Sequence, residues 1–356
     1  MNDKKGFFKK GFFIYISISF IALLALFFTT SNLSQLKILL HLKWGFFLLL
    51  IAVIFLRMTF DALGLQVLVP GSVEISLWQT AKIRLMGIYF AVAVPISTSQ
   101  VYFQSYLLSR FGITYAESLG ILTLRTLLPT LFFLLLIPIY FVIPLPFSGS
   151  VLLQKVIQIT VISLMGAILL IVGFLFFPDS LFGGIKTLLR LFVKIKFLKK
   201  ERYNTWVKKS EESVLRVNHL FQLYFREHPG ILLRSLLYIV ISFLFEFLIA
   251  NLVILGMGLS VPFWKLYFLQ FFVKIIVQYA PTPGGSGVDE LTYAALFALF
   301  LPKESIALTV FVWRFFHAYL LILIGGVLTF LEFRGRKMPD IVPDNRNDTS
   351  RTLNAR

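Results

Sequence analysis

Apolar residues run in long blocks along this chain, without the alternation of a half-buried strand and with few polar interruptions. A hydrocarbon layer of about 30 Å takes about 20 apolar residues in a helix. Blocks of that size lie at 12–30, 44–68, 117–143, 156–177, 231–256 and 305–331, and each predicts a crossing helix. The first follows Lys4, Lys5, Lys9 and Lys10 and lacks a small-residue cleavage signature, so it reads as an uncleaved span and not as a signal peptide. Two further apolar stretches, 78–110 and 264–301, are interrupted midway, at Pro95–Ser99 and at Pro281–Gly287. Each half of these is short for a complete crossing.

Composition removes the soluble alternatives. The chain is 58% hydrophobic and 14% charged, against about 45–50% and about 25% in an average soluble domain. That excludes an ordinary water-soluble enzyme. With 34 Lys+Arg against 17 Asp+Glu the net charge is +17, which in a soluble protein would suggest nucleic acid. In a chain of apolar blocks it reports orientation, because basic loops stay on the cytoplasmic side. No cysteine is present, so thiolate chemistry, disulfides and Cys-based metal sites are excluded.

Charge placement then decides a topology. The 183–228 segment holds eleven basic residues and four acids, and the N-terminus and the tail after Arg334 are basic too. All three are expected to be cytoplasmic. If 78–110 were one crossing, five spans would precede the 183–228 loop and throw it outside. A re-entrant hairpin at 78–110 leaves four spans and keeps the loop inside, with Lys82, Arg84 and Arg110 cytoplasmic and the uncharged 144–150 turn external. Two short crossings at 78–95 and 97–110 are the alternative, but fourteen residues are few for the second. The 183–228 segment itself reads equally as an amphipathic helix on anionic lipid or as a solvated connection.

The pattern occurs twice. Trp78 lies 17 residues before Pro95 and Trp264 lies 17 before Pro281, an offset of 186 (264 − 78, 281 − 95). The same shift lays the 44–68 block on 231–256. Glu117-Ser118 opens the run reaching Arg125, as Glu304-Ser305 opens the run reaching Arg314. The unit is span, interrupted hairpin, span, and the cytoplasmic assignments invert the second copy relative to the first. Inverted repeats with broken helices are the plan of many secondary transporters, with a site near the midplane. Backbone that is not helical at that depth survives only in protein or against an aqueous cavity. Ordinary helices merely kinked by Pro and Gly are the simpler alternative.

The segment PTPGGSGVDE, 281–290, carries the most specific chemistry. Pro281 and Pro283 stop a helix, Gly284, Gly285 and Gly287 admit left-handed backbone, and a helix restarting after Gly287 would aim free N–H groups into the break. Asp289 and Glu290 then fall in its first turn, where carboxylates are favoured. Pro283, Gly284, Gly285, Gly287 and Glu290 resemble the Pro-Gly-Gly-x-Gly-x-x-Glu motif of the lysylphosphatidylglycerol synthase/flippase transmembrane-region family. The stretch 94–114, with Gln100, Gln104 and Gly112, is similar to that family's first-half motif, although Ser99 and Gln100 stand where many members have glycine. Arg125 and Arg314 resemble the family's arginines in the spans after each hairpin. The resemblance covers 12–333 and implies a polytopic protein that moves, or helps move, a lipid between leaflets. Its best-studied members add a soluble aminoacyl-transferase domain, for which this chain is expected to have no counterpart, so no aminoacylation is expected of it.

Charges at membrane depth are costly, about 2.5–3.5 kcal/mol each on insertion scales, and default to functional candidates. Here they are Arg57, Asp61, Arg125, Glu246, Lys274, Asp289, Glu290, Arg314 and His317. Arg57 and Asp61, four apart, are expected to pair with each other, and Lys274 to snorkel to an interface. Arg125 and Arg314 from opposed halves would suit a phosphate headgroup, since guanidinium binds phosphate bidentately; pairing with Glu246, Asp289 or Glu290 is the competing role. His41, His219, His228 and His317 form no metal or catalytic pattern, and no ATP-binding loop is present.

The expectation is therefore an all-α polytopic membrane protein, a single transmembrane domain over 1–356. It has about six crossings and two opposed re-entrant hairpins: unit 1 at 44–144, the basic linker at 183–228, unit 2 at 230–333 and a cytoplasmic tail at 334–356. Expected substrate contacts are Arg125, Arg314, Glu290, Asp289, Gly284, Gly285, Gly287, Pro283, Gln100, Gln104 and His317. No catalysis, metal, cofactor or nucleic acid is expected. The expected partners are membrane lipids of the cell membrane, with anionic headgroups. Three roles stay open: lipid translocation, a scaffold presenting lipid to a separately encoded transferase, and more weakly an intramembrane transferase on a lipid-phosphate carrier. The oligomeric state stays open, a homodimer included.

Overall fold

The computed structural model describes residues 2–30, 43–94, 99–135, 221–278 and 282–334, with six isolated positions between 166 and 218. The expected span at 156–177, the 144–150 turn, most of the 183–228 linker, Pro281 and the tail from 335 lie outside the described residues. Every regular element among those described is helical. They are α1 (Asn2–Thr30), α2 (Trp44–Gln66), α3 (Leu77–Ala93), α4 (Ser99–Ser109), α5 (Tyr115–Leu135), α6 (Pro229–Gly256), α7 (Phe263–Gln278), α8 (Val288–Phe297), α9 (Ile306–Arg314) and α10 (Leu320–Phe333).

Three helical stretches are long and apolar enough to cross a membrane: Trp44–Gln66, Pro229–Gly256 and Lys303–Phe333, the last containing α9 and α10. The first two are the blocks that a shift of 186 superposes, and they lie antiparallel side by side. The Lys43 N–H donates to the Gly256 carbonyl at 2.9 Å at one end, and the Ser235 hydroxyl donates to the Gly64 carbonyl at 2.6 Å near the other. Gly64 makes this approach close, since a Cβ there would stand 3.0 Å from Ile239. Small residues and hydroxyl hydrogen bonds are what hold helices together where no water drives association.

Each interrupted stretch folds back on itself. Ser76 and Gln79 cap α3 reciprocally, with 3.2 Å and 2.7 Å contacts. The helix stops where Val94, preceding Pro95, takes an extended conformation (φ −120°, ψ 122°), because proline excludes the helical region for the residue before it. α4 then returns along α3: the Ser99 hydroxyl donates to the Phe90 carbonyl at 3.0 Å, and Phe90 stacks on Phe103 with centroids 3.4 Å apart. Gly87 faces Gln104, and a methyl group there would collide with the Gln104 amide. In the second copy α8 returns along α7, where Tyr293 donates to Gln270 at 3.4 Å.

The two hairpins open toward opposite ends of the bundle. The limbs of α3–α4 begin and finish beside the end of α10, where Arg110 meets Glu332 at 2.6 Å, and α10 packs so closely on α3 that a Cβ at Gly325 would strike the Leu85 carbonyl. The limbs of α7–α8 begin and finish where α6 ends and α9 starts. Exposed tryptophans mark both ends: Trp78 at the first, Trp44 and Trp264 at the second, the position amphipathic indole rings favour at a membrane–water boundary. The hairpin tips abut in between, with Gly284 packed against Val92 and Tyr15. α1 crosses this junction, and its Leu26 continues into the cluster around Phe47 and Met257.

Candidate functional site

The tip of the second hairpin follows from its glycines. Gly284, Gly285 and Gly287 hold φ of 56°, 71° and 81°, left-handed values that residues with a Cβ seldom adopt. Pro283–Gly285 form one 3₁₀ turn, and α8 starts after Gly287. The Gly287 N–H donates to Glu290 at 2.7 Å, closing the first turn with the carboxylate the sequence placed there. Arg314, at the end of α9, is buried against this tip. It donates to Asp289, to Glu290 at 3.0 Å and to the Gly284 carbonyl at 3.2 Å. Ser19 of α1 also donates to Glu290 and shares a hydrogen bond with Tyr319.

The first half builds a different charge cluster. Asp61 of α2 accepts from Arg84 at 2.6 Å and 3.3 Å and from the nearby Arg125 of α5. Arg84 also donates to Gln104 at 3.0 Å, so its three donor nitrogens are engaged. Arg125 engages only one: its buried Nε has no hydrogen-bond partner among the described residues. One expectation is corrected here: Asp61 does not pair with Arg57. Arg84, expected only to lie toward the cytoplasmic side, is buried in this cluster.

A third cluster lies one helical turn along α2. Glu246 of α6 takes Arg57 at 3.2 Å, Lys274 at 2.6 Å and the His317 ring at 3.0 Å. Lys274 therefore points to a carboxylate inside the bundle and does not snorkel. His317 reaches Glu246 from a π-helical turn, Phe315–Tyr319, within the long Lys303–Phe333 helix. The extra residue of a π turn leaves a carbonyl free of the α-helical ladder, and the His317 carbonyl accepts from Arg57 at 3.1 Å. The His317 ring stacks on Trp313 at 4.8 Å, which in turn stacks on Tyr293 at 3.6 Å.

All three clusters line one cavity of about 450 Å³ between the hairpin tips. Of the residues expected to touch substrate, Arg125, Arg314, Asp289, Gly284, Gly285, Gln100, Gln104 and His317 form its wall. Glu290 is fully buried behind Arg314, and Gly287 packs on Ile18, so neither is on the wall. Pro283 contributes backbone to the tip. Sequence reasoning missed Arg84 and Tyr15 as wall residues, Ser19 as a partner of Glu290 and Tyr319 as a partner of Ser19. Arg84 carried a usable signal, flanked as it is by the buried apolar Ile83 and Leu85. One further correspondence emerges: Gln104 and Glu290 are themselves 186 apart (290 − 104), and each accepts a hydrogen bond from a buried arginine.

No solved structure matches this chain. A membrane protein of the archaeon Archaeoglobus fulgidus described as UPF0104 is similar, 23% identical over 259 residues that cover 71% of this chain and 76% of the relative. The family described as lysylphosphatidylglycerol synthase TM region matches residues 12–325, which contain both hairpins, all three charge clusters and the cavity between them. This chain therefore belongs to the lysylphosphatidylglycerol synthase transmembrane-region family of integral membrane proteins.

Proposed function

We propose that this protein moves a lipid between leaflets, with the headgroup held in the cavity between the hairpin tips while the acyl chains stay in the bilayer. The observation that carries this reading is a cavity of about 450 Å³ walled by Arg57, Arg84, Arg125, Lys274 and Arg314 and placed where two oppositely opening hairpins meet. Such a volume lies in the range of ordinary ligand sites, about 300–1,000 Å³. Five cations against three carboxylates on the wall favour an anionic headgroup. In this reading both hairpins are re-entrant. The eleven residues of α4 reach about 16 Å, half of a hydrocarbon layer of about 30 Å. The basic N-terminus, linker and tail put both termini in the cytoplasm, and the host bilayer is the cell membrane. The chain acts as a conduit and performs no chemistry on the lipid.

A leaflet-exchange assay in reconstituted vesicles tests this. Fluorescent phospholipid is expected to change leaflet faster with the protein than without it. Arg125→Ala and Arg314→Ala should each slow exchange by about tenfold or more, the worth of one charge-assisted hydrogen bond. Unchanged rates in variants that remain helical and monodisperse would sink the site. The name of the matching family, the membrane region of a synthase, favours one other role: a scaffold that presents lipid to a separately encoded transferase. Lipid binding without any exchange would support that role instead.

A further inference from the structure

The three charge clusters are not alike. Arg314 is matched by two carboxylates, and the surplus negative charge there is already met by the Gly287 N–H, the Ser19 hydroxyl and the start of α8. Around Asp61 two guanidiniums share one carboxylate. Around Glu246 an arginine and a lysine share one carboxylate, before any charge on His317 is counted. Among the described residues, two clusters thus each carry one positive charge more than their carboxylate, and both line the cavity.

Their spacing is fixed by one helix. Arg57 and Asp61 are four residues apart on α2, which sets their Cβ atoms about 6 Å apart. Had they paired with each other, the surplus would be spread across the bundle. Each instead pairs elsewhere, so the two positively charged clusters face the same cavity about one helical turn apart, where like charges repel. A second observation points the same way: among the described residues the buried Arg125 Nε has no partner, nor has the buried Tyr15 hydroxyl, and both residues line the cavity.

We propose that the cavity takes a headgroup with two negative charges on neighbouring phosphate oxygens, a phosphomonoester or a diphosphate, in preference to a singly charged phosphodiester or a cationic aminoacylated lipid. A dianion cancels both surplus charges at once, with Arg125 donating from its free edge and Lys274 and Arg57 from the other side. A monoanion leaves one surplus standing, and a headgroup amine adds to it. This inference rests on the reading of the cavity as the headgroup site and sharpens what that site selects.

The test is competitive lipid retention by the full chain, read by native mass spectrometry from mixed micelles of phosphatidic acid, phosphatidylglycerol and lysylphosphatidylglycerol. Phosphatidic acid is expected to be retained about tenfold or more over phosphatidylglycerol, one further charge-assisted contact. Arg125→Gln and Lys274→Gln should each flatten that ratio toward one, whereas Arg110→Gln, paired with Glu332 at the open end of the first hairpin and off the cavity wall, should leave it unchanged. Equal retention of the two phospholipids, both lost in Arg125→Gln, would overturn the dianion preference while leaving the headgroup site intact. Retention indifferent to Arg125→Gln and Lys274→Gln would overturn the site itself. Inorganic pyrophosphate separates the sources: displacing phosphatidic acid supports recognition through phosphate charge, and binding beside it without competition overturns that.

Discussion

Asp61 shows how a single carboxylate organises the first half of the cavity. It lies on α2 and takes guanidiniums from α3 and α5, so three helices meet at its two oxygens. Removing the charge strands two buried cations. Asp61→Asn is expected to destabilise the protein by about 3–5 kcal/mol, the scale for breaking a buried ion pair from one side. Lys274→Gln should be far milder, because Arg57 and His317 still serve Glu246. Thermal unfolding in detergent, followed by tryptophan fluorescence, distinguishes the two, and equal midpoints would refute this ranking. The sequence displayed these charges but not their pairing. Spacing of four residues makes Arg57 and Asp61 neighbours on an isolated helix, yet a guanidinium out of water needs several acceptors, and those come from other helices. Which helices supply them is tertiary information. Asp289 was legible as a cavity residue because it sits beside a break in an apolar block, and Arg125 and Arg314 because they are charges at matching places in the apolar spans after each hairpin, whereas Arg84, in the first limb of a hairpin, reads as a charge on the cytoplasmic side.

At the level of elements, the breaks were the legible part and the close contacts were not. Proline and glycine announce where α3 and α7 stop, and positive φ at Gly284, Gly285 and Gly287 follows from their identity. The π turn at Phe315–Tyr319 had no such signal. One extra residue shifts the face of a helix, but in a helix apolar nearly all round that shift leaves no trace in the pattern. Glycine pairs are similarly ambiguous in sequence, and the structure separates their roles. Gly325 sits against the backbone carbonyl of Leu85, which cannot swing away, while Gly326 faces only the Tyr89 ring at 3.2 Å. Gly325→Ala is expected to push α10 off α3 and cost about 1–3 kcal/mol, as overpacking does. Gly326→Ala should cost less, since a ring can rotate aside. Comparing the two unfolding midpoints checks this, and a larger loss at Gly326 would refute it.

Across the whole molecule, the arrangement that makes a conduit plausible is the opposition of the hairpins. A cavity reached by two broken helices from opposite sides has barriers on both sides, and a modest shift of either tip can lower one barrier at a time. The tips touch through Gly284 and Val92, so movement of one bears directly on the other. The opposition predicts the sidedness of particular residues. Glu74 lies just before the first hairpin and Glu304 just after the second, and both are exposed. If the hairpins enter from opposite faces, these residues lie on opposite sides of the membrane. The chain has no cysteine of its own, so Glu74→Cys and Glu304→Cys each introduce the sole thiol. On the proposed orientation, with the basic loops and the first hairpin's open end cytoplasmic, a membrane-impermeant maleimide added to intact cells should label Glu304→Cys and reach Glu74→Cys only after permeabilisation. Labelling of both from one side would mean that the hairpins share an entrance. The cavity would then be a pocket with a single mouth, suited to holding a lipid but not to passing it across.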